Sequence, residues 1–148
     1  MKKSIKGIWL YGQSGSGKST ISKLINKGIK NSFIIDGDIV RKKISFDLKH
    51  NLKDRITQTK RLLGLSKICI EQRFFPIISC VYLGKKVATE IKKNQICLIQ
   101  IERSKKFLNK KLKNKKNIVG IHIIQPNLKS FKLRNDENLK NNLRKILR

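Results

Sequence analysis

Apolar residues fall in short blocks separated by lysine-rich polar stretches. Residues 8–11, Ile-Trp-Leu-Tyr, form a continuous β-prone block, the pattern of a strand buried on both faces. A glycine-rich break over 12–17 follows. Ile21, Leu24 and Ile25 then recur at helical spacing through 18–27, with Gly28 as a stop. Residues 32–35 read as a second strand, closed by Asp36-Gly37-Asp38, and 53–71 as a helix carrying Ile56, Leu62, Leu63, Leu65, Ile68 and Cys69 mostly on one face. A third strand is expected over 74–81, with Pro76 near its start where a missing N–H is tolerated. A helix over 87–93 and a fourth strand over 96–101 come next. A short basic helix is expected over 104–112, overlapping a lysine run at 110–116 that cannot be a core element. Residues 131–133 suggest a last strand, and Asn135 or Asp136 would cap a terminal helix running to Leu147. Strands alternating with helices imply a single α/β domain built on a parallel sheet covered by helices on both faces.

Composition narrows this picture. At 148 residues the chain can bury a core without disulfides or a structural metal. No apolar segment approaches the ~20 residues of a spanning helix. Cys69, Cys80 and Cys97 lie in apolar runs with no zinc-type spacing, and read as buried small hydrophobes of a reducing compartment. A cytoplasmic protein is therefore expected. The formal charge is +27, from 36 Lys+Arg against 9 Asp+Glu. Such a surface attracts polyanions, but Lys crowds the chain together with Ile and Asn, all residues with AT-rich codons, and is scattered rather than striped. The charge identifies no partner: nucleic acid is not the expected one, although the charge alone leaves it open, and no membrane partner is expected.

The glycine-rich break carries the first chemistry. Gly12-Gln13-Ser14-Gly15-Ser16-Gly17-Lys18-Ser19 fits G-x-x-x-x-G-K-[ST] in full, with a strand before it and a helix after it. Glycines let backbone N–H groups turn inward around phosphates, and the helix start aims its positive end at the same anion. Lys18 offers a point charge to the β/γ oxygens, and the Ser19 hydroxyl is a Mg²⁺ ligand. Gly12 to Thr20 are therefore the expected ATP-binding residues. Asp36 and Asp38 fall at the carboxyl end of the second strand, the edge beside this loop in a parallel sheet. Two carboxylates there suit Mg²⁺ held through water or a proton taken from an attacking hydroxyl. An Asp-Gly turn with Asp38 capping a helix explains the same residues. No N-K-x-D guanine-reading motif occurs, which counts against a GTPase.

The order G-x-S-G-S-G-K-S-T, then D-G-D-x-V-R, then D-L, then D-R resembles the adenylylsulfate kinases. Laid without gaps on that family's pattern, the chain supplies Asp36, Gly37, Asp38, Val40, Arg41, Asp47, Leu48, Asp54, Arg55 and Arg61. A weaker likeness returns at Lys116-Asn117-Ile118-Val119-Gly120-Ile121, with Pro126, Leu133 and Asn135-Asp136 following as the family's tail does. The resemblance implies a P-loop NTPase fold and a kinase that transfers the γ-phosphoryl of ATP, with Mg²⁺, to the ribose 3′-hydroxyl of adenosine 5′-phosphosulfate. Lys18, Asp36 and Asp38 would be catalytic, with Ser19 and Asp36 at the metal. Asp38, Arg41, His50, Arg55 and Gln58 would line the acceptor site. Homodimers are common in that family.

The departures are specific. His50 stands where the family has a Phe that packs on the acceptor's adenine, Gln58 replaces an Asn, and Lys60 replaces an Arg. Tyr82 and Leu83 fall on the family's Ser-Pro pair, while Ser79 matches an earlier strand position and is left outside the site. The family's lid segment is reduced to the lysine run at 110–116. These changes leave two alternatives open: a kinase for a different modified nucleotide, or a degenerate, non-catalytic nucleotide-binding protein of the same fold.

Overall fold

Among the described residues five strands, all parallel, form one sheet in the order β2-β3-β1-β4-β5: β1 Gly7–Tyr11, β2 Ser32–Asp36, β3 Phe75–Cys80, β4 Ile96–Glu102 and β5 Phe131–Arg134. Up to Leu108 the helices are α1 Lys18–Gly28, α2 Gly37–Lys43, α3 Leu52–Glu71, α4 Lys85–Lys93 and α5 Lys105–Leu108. The computed structural model describes residues 4–108, 115–136, 141 and 144.

The unbroken apolar block at 8–11 has its explanation in the period of two along a strand. Trp9 and Tyr11 point to one face, where they pack with Leu62, Leu63, Val87 and Ile91 of α3 and α4. Ile8 and Leu10 point to the other, against Ile21 and Ile25 of α1. Both faces of the sheet are covered, so each of these side chains leaves water and contributes roughly 1.5–3 kcal/mol. Pro76 sits second in β3, as expected, beside Gly7 of β1, where any Cβ would run into the proline ring. Successive strands cross over on opposite sides of β1: β2 and β3 lie on one flank, β4 and β5 on the other. The sheet therefore has its switch point at the carboxyl end of β1, the place where open α/β sheets take their ligands.

Three expectations change. The segment after β2 is a helix, α2, that the apolar spacing did not reveal, because Ile39 on it is exposed and Val40 is its one buried apolar side chain. Its N-cap is Asp36 rather than Asp38: the Asp36 carboxylate accepts from the N–H groups of Asp38 and Ile39. Of the three thiols only Cys80 is buried, while Cys69 and Cys97 are half-buried. The basic helix is seen over Lys105–Leu108, and its expected remainder at 109–112 lies outside the described residues, as does most of the expected terminal helix. Asp136 accepts from the Ser104 N–H at 2.7 Å, just ahead of α5.

Candidate active site

A cavity of about 620 Å³ opens at the carboxyl edge of β1, β2 and β3. One end is the glycine-rich loop. Gly12, Gly15 and Gly17 all adopt positive φ, which only glycine takes without strain. At Gly12 a Cβ would strike the Ile101 carbonyl, and at Gly17 the Asn135 side chain. Gly17 also starts α1 with no side-chain cap, so the first N–H groups of that helix are left for an anion. Lys18 folds over the loop, donating to the carbonyls of Gly12 at 2.8 Å and Gln13 at 2.9 Å. Burial pushes its ammonium below the usual lysine range, with Cys80, Asp38 and Asp36 opposing that shift. A cradle of glycine backbone, an uncapped helix start and a desolvated cation fit a polyphosphate.

Asp36 closes this end. Its Oδ2 accepts from Ser19 Oγ at 2.9 Å and from Ser79 Oγ at 3.2 Å, while its Oδ1 accepts from the Asp38 N–H at 2.9 Å. A hydroxyl that donates to a carboxylate keeps its lone pairs for a cation, and Mg²⁺ prefers hard oxygen ligands of this kind. Ser19 and Asp36 thus fit a Mg²⁺ site. Ser79 was set aside on sequence alone. It lines the cavity and holds the carboxylate expected at the metal.

The other end is built from the loop between α2 and α3 and from the start of α3. Asn51 caps α3 by accepting from the Asp54 N–H, and the Asp54 carboxylate accepts in turn from Asn51 Nδ2 and from the Lys49 N–H. Arg61 grips Asp47 through two bonds of 2.6 and 2.8 Å. Within this frame Arg41 donates to the carbonyl of Lys49 at 2.8 Å, and Arg55 to those of His50 at 2.8 Å and Asn117 at 3.1 Å. Both arginines also line the cavity, with N–H groups left for a ligand. Burial lowers the basicity of each; Arg41 adds to the effect on Arg55. His50, also in the cavity wall, is held below the ordinary imidazole value by burial and by both arginines. Asp38 is exposed and counters these shifts in Lys18, Arg41, His50 and Arg55 alike, so one carboxylate sits among all four groups.

The structure therefore brings Ser14, Gly15, Gly17, Lys18, Ser19, Thr20, Asp36, Asp38, Arg41, His50, Arg55 and Gln58 to one cavity. Gly12, Gln13 and Ser16 do not line it: Ser16 is buried, and Gln13 sends its side chain to Val119. Gln58 is buried and donates to the Gly37 carbonyl at 3.0 Å, tying α3 to the Asp36-Gly37-Asp38 turn. Sequence reasoning missed Arg103, which lines the cavity and donates to the Gly15 carbonyl at 3.1 Å, and Asn135, which donates to that of Ser16 at 2.8 Å. Tyr82, which falls on the serine of the resembled family's Ser-Pro pair, lines the cavity, its hydroxyl made less acidic by burial. Burial also raises the Cys80 thiol to about 12, which leaves it inert.

A model of the adenylylsulphate kinase family matches residues 4–117. The adenylyl-sulfate kinase of Buchnera aphidicola subsp. Acyrthosiphon pisum is 29% identical over 162 aligned positions, which cover 95% of this chain and 78% of that protein. The adenylyl-sulfate kinase of Pseudomonas aeruginosa is 32% identical over 78, covering 50% of this chain and 40% of its own. Among solved structures, the Mycobacterium tuberculosis APS kinase in complex with AMPPNP and APS superposes with a TM-score of 0.77 at 17% identity, covering 97% of each chain. A gluconokinase from Sinorhizobium meliloti reaches 0.66 at 15% identity, covering 98% of this chain and 91% of its own. Kinases of unlike acceptors share this fold, so the fold alone does not choose the acceptor.

Proposed function

The chain belongs to the adenylylsulphate kinase family, and from that premise we propose that it transfers the γ-phosphoryl group of ATP to the ribose 3′-hydroxyl of adenosine 5′-phosphosulfate. The products are the 3′-phosphorylated nucleotide and ADP. The observation that carries this reading is one cavity with two differently built ends and a single exposed carboxylate, Asp38, among the cations of both.

In this reading the glycine loop and the start of α1 hold the donor's phosphates by backbone N–H groups, and Lys18 leaves the carbonyls of Gly12 and Gln13 for the β/γ oxygens. Asp36 and Ser19 hold Mg²⁺, which when bound neutralises charge on the donor's phosphate oxygens. Asp38 accepts the proton of the attacking hydroxyl. Arg41 and Arg55 hold the acceptor's phosphate and sulfate oxygens through forked guanidinium contacts, and His50 stacks on its base. Gln58 acts in the acceptor wall by fixing the turn that carries Asp38. Positioning and charge neutralisation supply most of the rate, because phosphoryl transfer asks little covalent chemistry of the protein.

The shortened lid near 110–116 belongs to this proposal. Lys115 and Lys116 add cationic lining to the cavity, and residues 109–114 lie outside those described. A homodimer is part of it too. No helix among the described residues is long and apolar enough to cross a membrane. His50 and Gln58 favour a second reading within the same class, a kinase for another modified nucleotide.

Incubation with ATP, Mg²⁺ and a panel of nucleotide acceptors decides between the two by mass spectrometry. A gain of one phosphoryl group on adenosine 5′-phosphosulfate alone supports the first. A gain on a different nucleotide supports the second, and ATP binding with no transfer to any of them leaves a non-catalytic nucleotide-binding protein.

A further inference from the structure

The side chain of Gln13 turns away from the phosphates and donates from Nε2 to the Val119 carbonyl at 3.1 Å, across 106 residues of sequence. Because the acceptor is a carbonyl, the amide nitrogen must be the atom that faces it. The contact is made to measure. Gly120 has φ +89°, and a Cβ there would strike the Gln13 amide, so the turn leaves room for this side chain only as glycine.

The segment that Gln13 holds is a hydrogen-bonded turn. The Ile118 carbonyl accepts from the N–H groups of His122 at 2.8 Å and Ile123 at 3.0 Å, and the Ile118 N–H donates to His122 Nδ1 at 3.1 Å. Val119 and Ile123 are buried together against Tyr82. Two residues back, the Asn117 carbonyl accepts from Arg55 Nη2. One tight turn is therefore gripped from both ends of the cavity, by a residue of the phosphate loop and by an arginine of the opposite wall.

We infer that Gln13 is a positioning residue for the acceptor: by fixing the turn at 117–120 it fixes the Asn117 carbonyl, and through it the guanidinium of Arg55. This rests on the two-ended reading of the cavity. The path is short and made of directed hydrogen bonds, and a guanidinium held at two of its N–H groups presents the others in a set direction. The side chain of Gln13 would then matter to the acceptor, although it belongs to the donor loop.

Gln13→Met keeps length and bulk and removes the donor. Calorimetry with AMPPNP and adenosine 5′-phosphosulfate, titrated separately, reads the two ends. Acceptor affinity should fall about tenfold and AMPPNP affinity by less than about threefold, a split within the usual range of coupling between sites. Amide exchange over 117–123 should quicken in the variant while exchange in α4 stays at the wild-type rate. Equal losses for both nucleotides, or a loss on AMPPNP alone, overturn the inference, as does unchanged exchange in the turn. If the wild type binds AMPPNP but no acceptor, the functional reading fails, and exchange still judges whether Gln13 holds the turn.

Discussion

The two ends of the cavity are made of different material. The proposed donor end is centred on the stretch Gly12 to Thr20, closed by Asp36, and offers backbone N–H groups, glycine conformations and Lys18. The proposed acceptor end is assembled from side chains of α2, the loop after it and α3 and from the turn near 117, with both arginines donating to carbonyls of other segments. Backbone recognition tolerates few changes because its geometry is set by φ and by absent Cβ atoms. Side-chain recognition can change residue by residue: in the proposed acceptor end His50, Gln58 and Tyr82 stand where the resembled family pattern has other residues, whereas the loop matches that pattern. A fixed donor end and a variable acceptor end are what a fold needs to keep one phosphoryl donor while changing its acceptor.

The largest expected effect breaks the donor end. Lys18→Ala should lower phosphoryl transfer by about 10²–10³-fold or more, because a charge at the β/γ oxygens acts chiefly in the transition state. A steady-state assay checks it, and unchanged turnover would mean this loop is not the catalytic phosphate site. Substitutions at the junction come next. Asp38→Asn should cost about 10²-fold in kcat with the fold intact, since the carboxylate is exposed. Asp36→Asn should also lower kcat and raise the Mg²⁺ concentration needed for half-maximal rate, while keeping the α2 cap, because an asparagine oxygen accepts the same N–H bonds as the carboxylate. Full activity in both variants would remove the Asp-Gly-Asp turn from the chemistry.

Breaking the acceptor end should be selective. Arg55→Ala is expected to weaken adenosine 5′-phosphosulfate by roughly 2–4 kcal/mol and leave ATP affinity nearly unchanged, with Arg55→Lys restoring only part, because an ammonium lacks the fork. A general loss of positive charge predicts a different pattern, a small weakening of both ligands that fades as salt rises. Titrations at low and high salt separate the two.

The smallest effect sharpens the picture through pH. Burial and the two arginines hold His50 below the ordinary imidazole value of 6.5 in the free protein. An anionic acceptor beside it raises that value, so binding takes up a proton and tightens as pH falls through the region below about 6.5. The change should be a few-fold and absent in His50→Gln, as read by affinity against pH. Folding runs the same balance with the opposite sign. His50 binds its proton less readily in the folded chain than in the unfolded one, so acid below about pH 6.5 removes stability at this position.

How much could be read from sequence follows the same division. The loop, its strand and its helix are consecutive, so spacing and glycine content disclosed them together. Asp36 was legible as a carboxylate at a strand end, but its place as the α2 cap was not, since Ile39 and Val40 offer too little periodicity to announce a helix. The partners that shape the site come from far along the chain. Arg103 reaches Gly15 across 88 residues and Asn135 reaches Ser16 across 119, distances at which no local pattern exists. Ser79 was passed over because its strand position says nothing of the Asp36 carboxylate in the next strand, its direct neighbour in the register.

The central claim is that one cavity holds two nucleotides side by side at ends built for different groups. Equilibrium binding of AMPPNP and adenosine 5′-phosphosulfate to the same sample, in the presence of Mg²⁺, tests it without relying on turnover. A complex containing one of each per chain, in which neither ligand displaces the other, is the predicted result. Mutual displacement, with one nucleotide bound per chain at saturation, would contradict it.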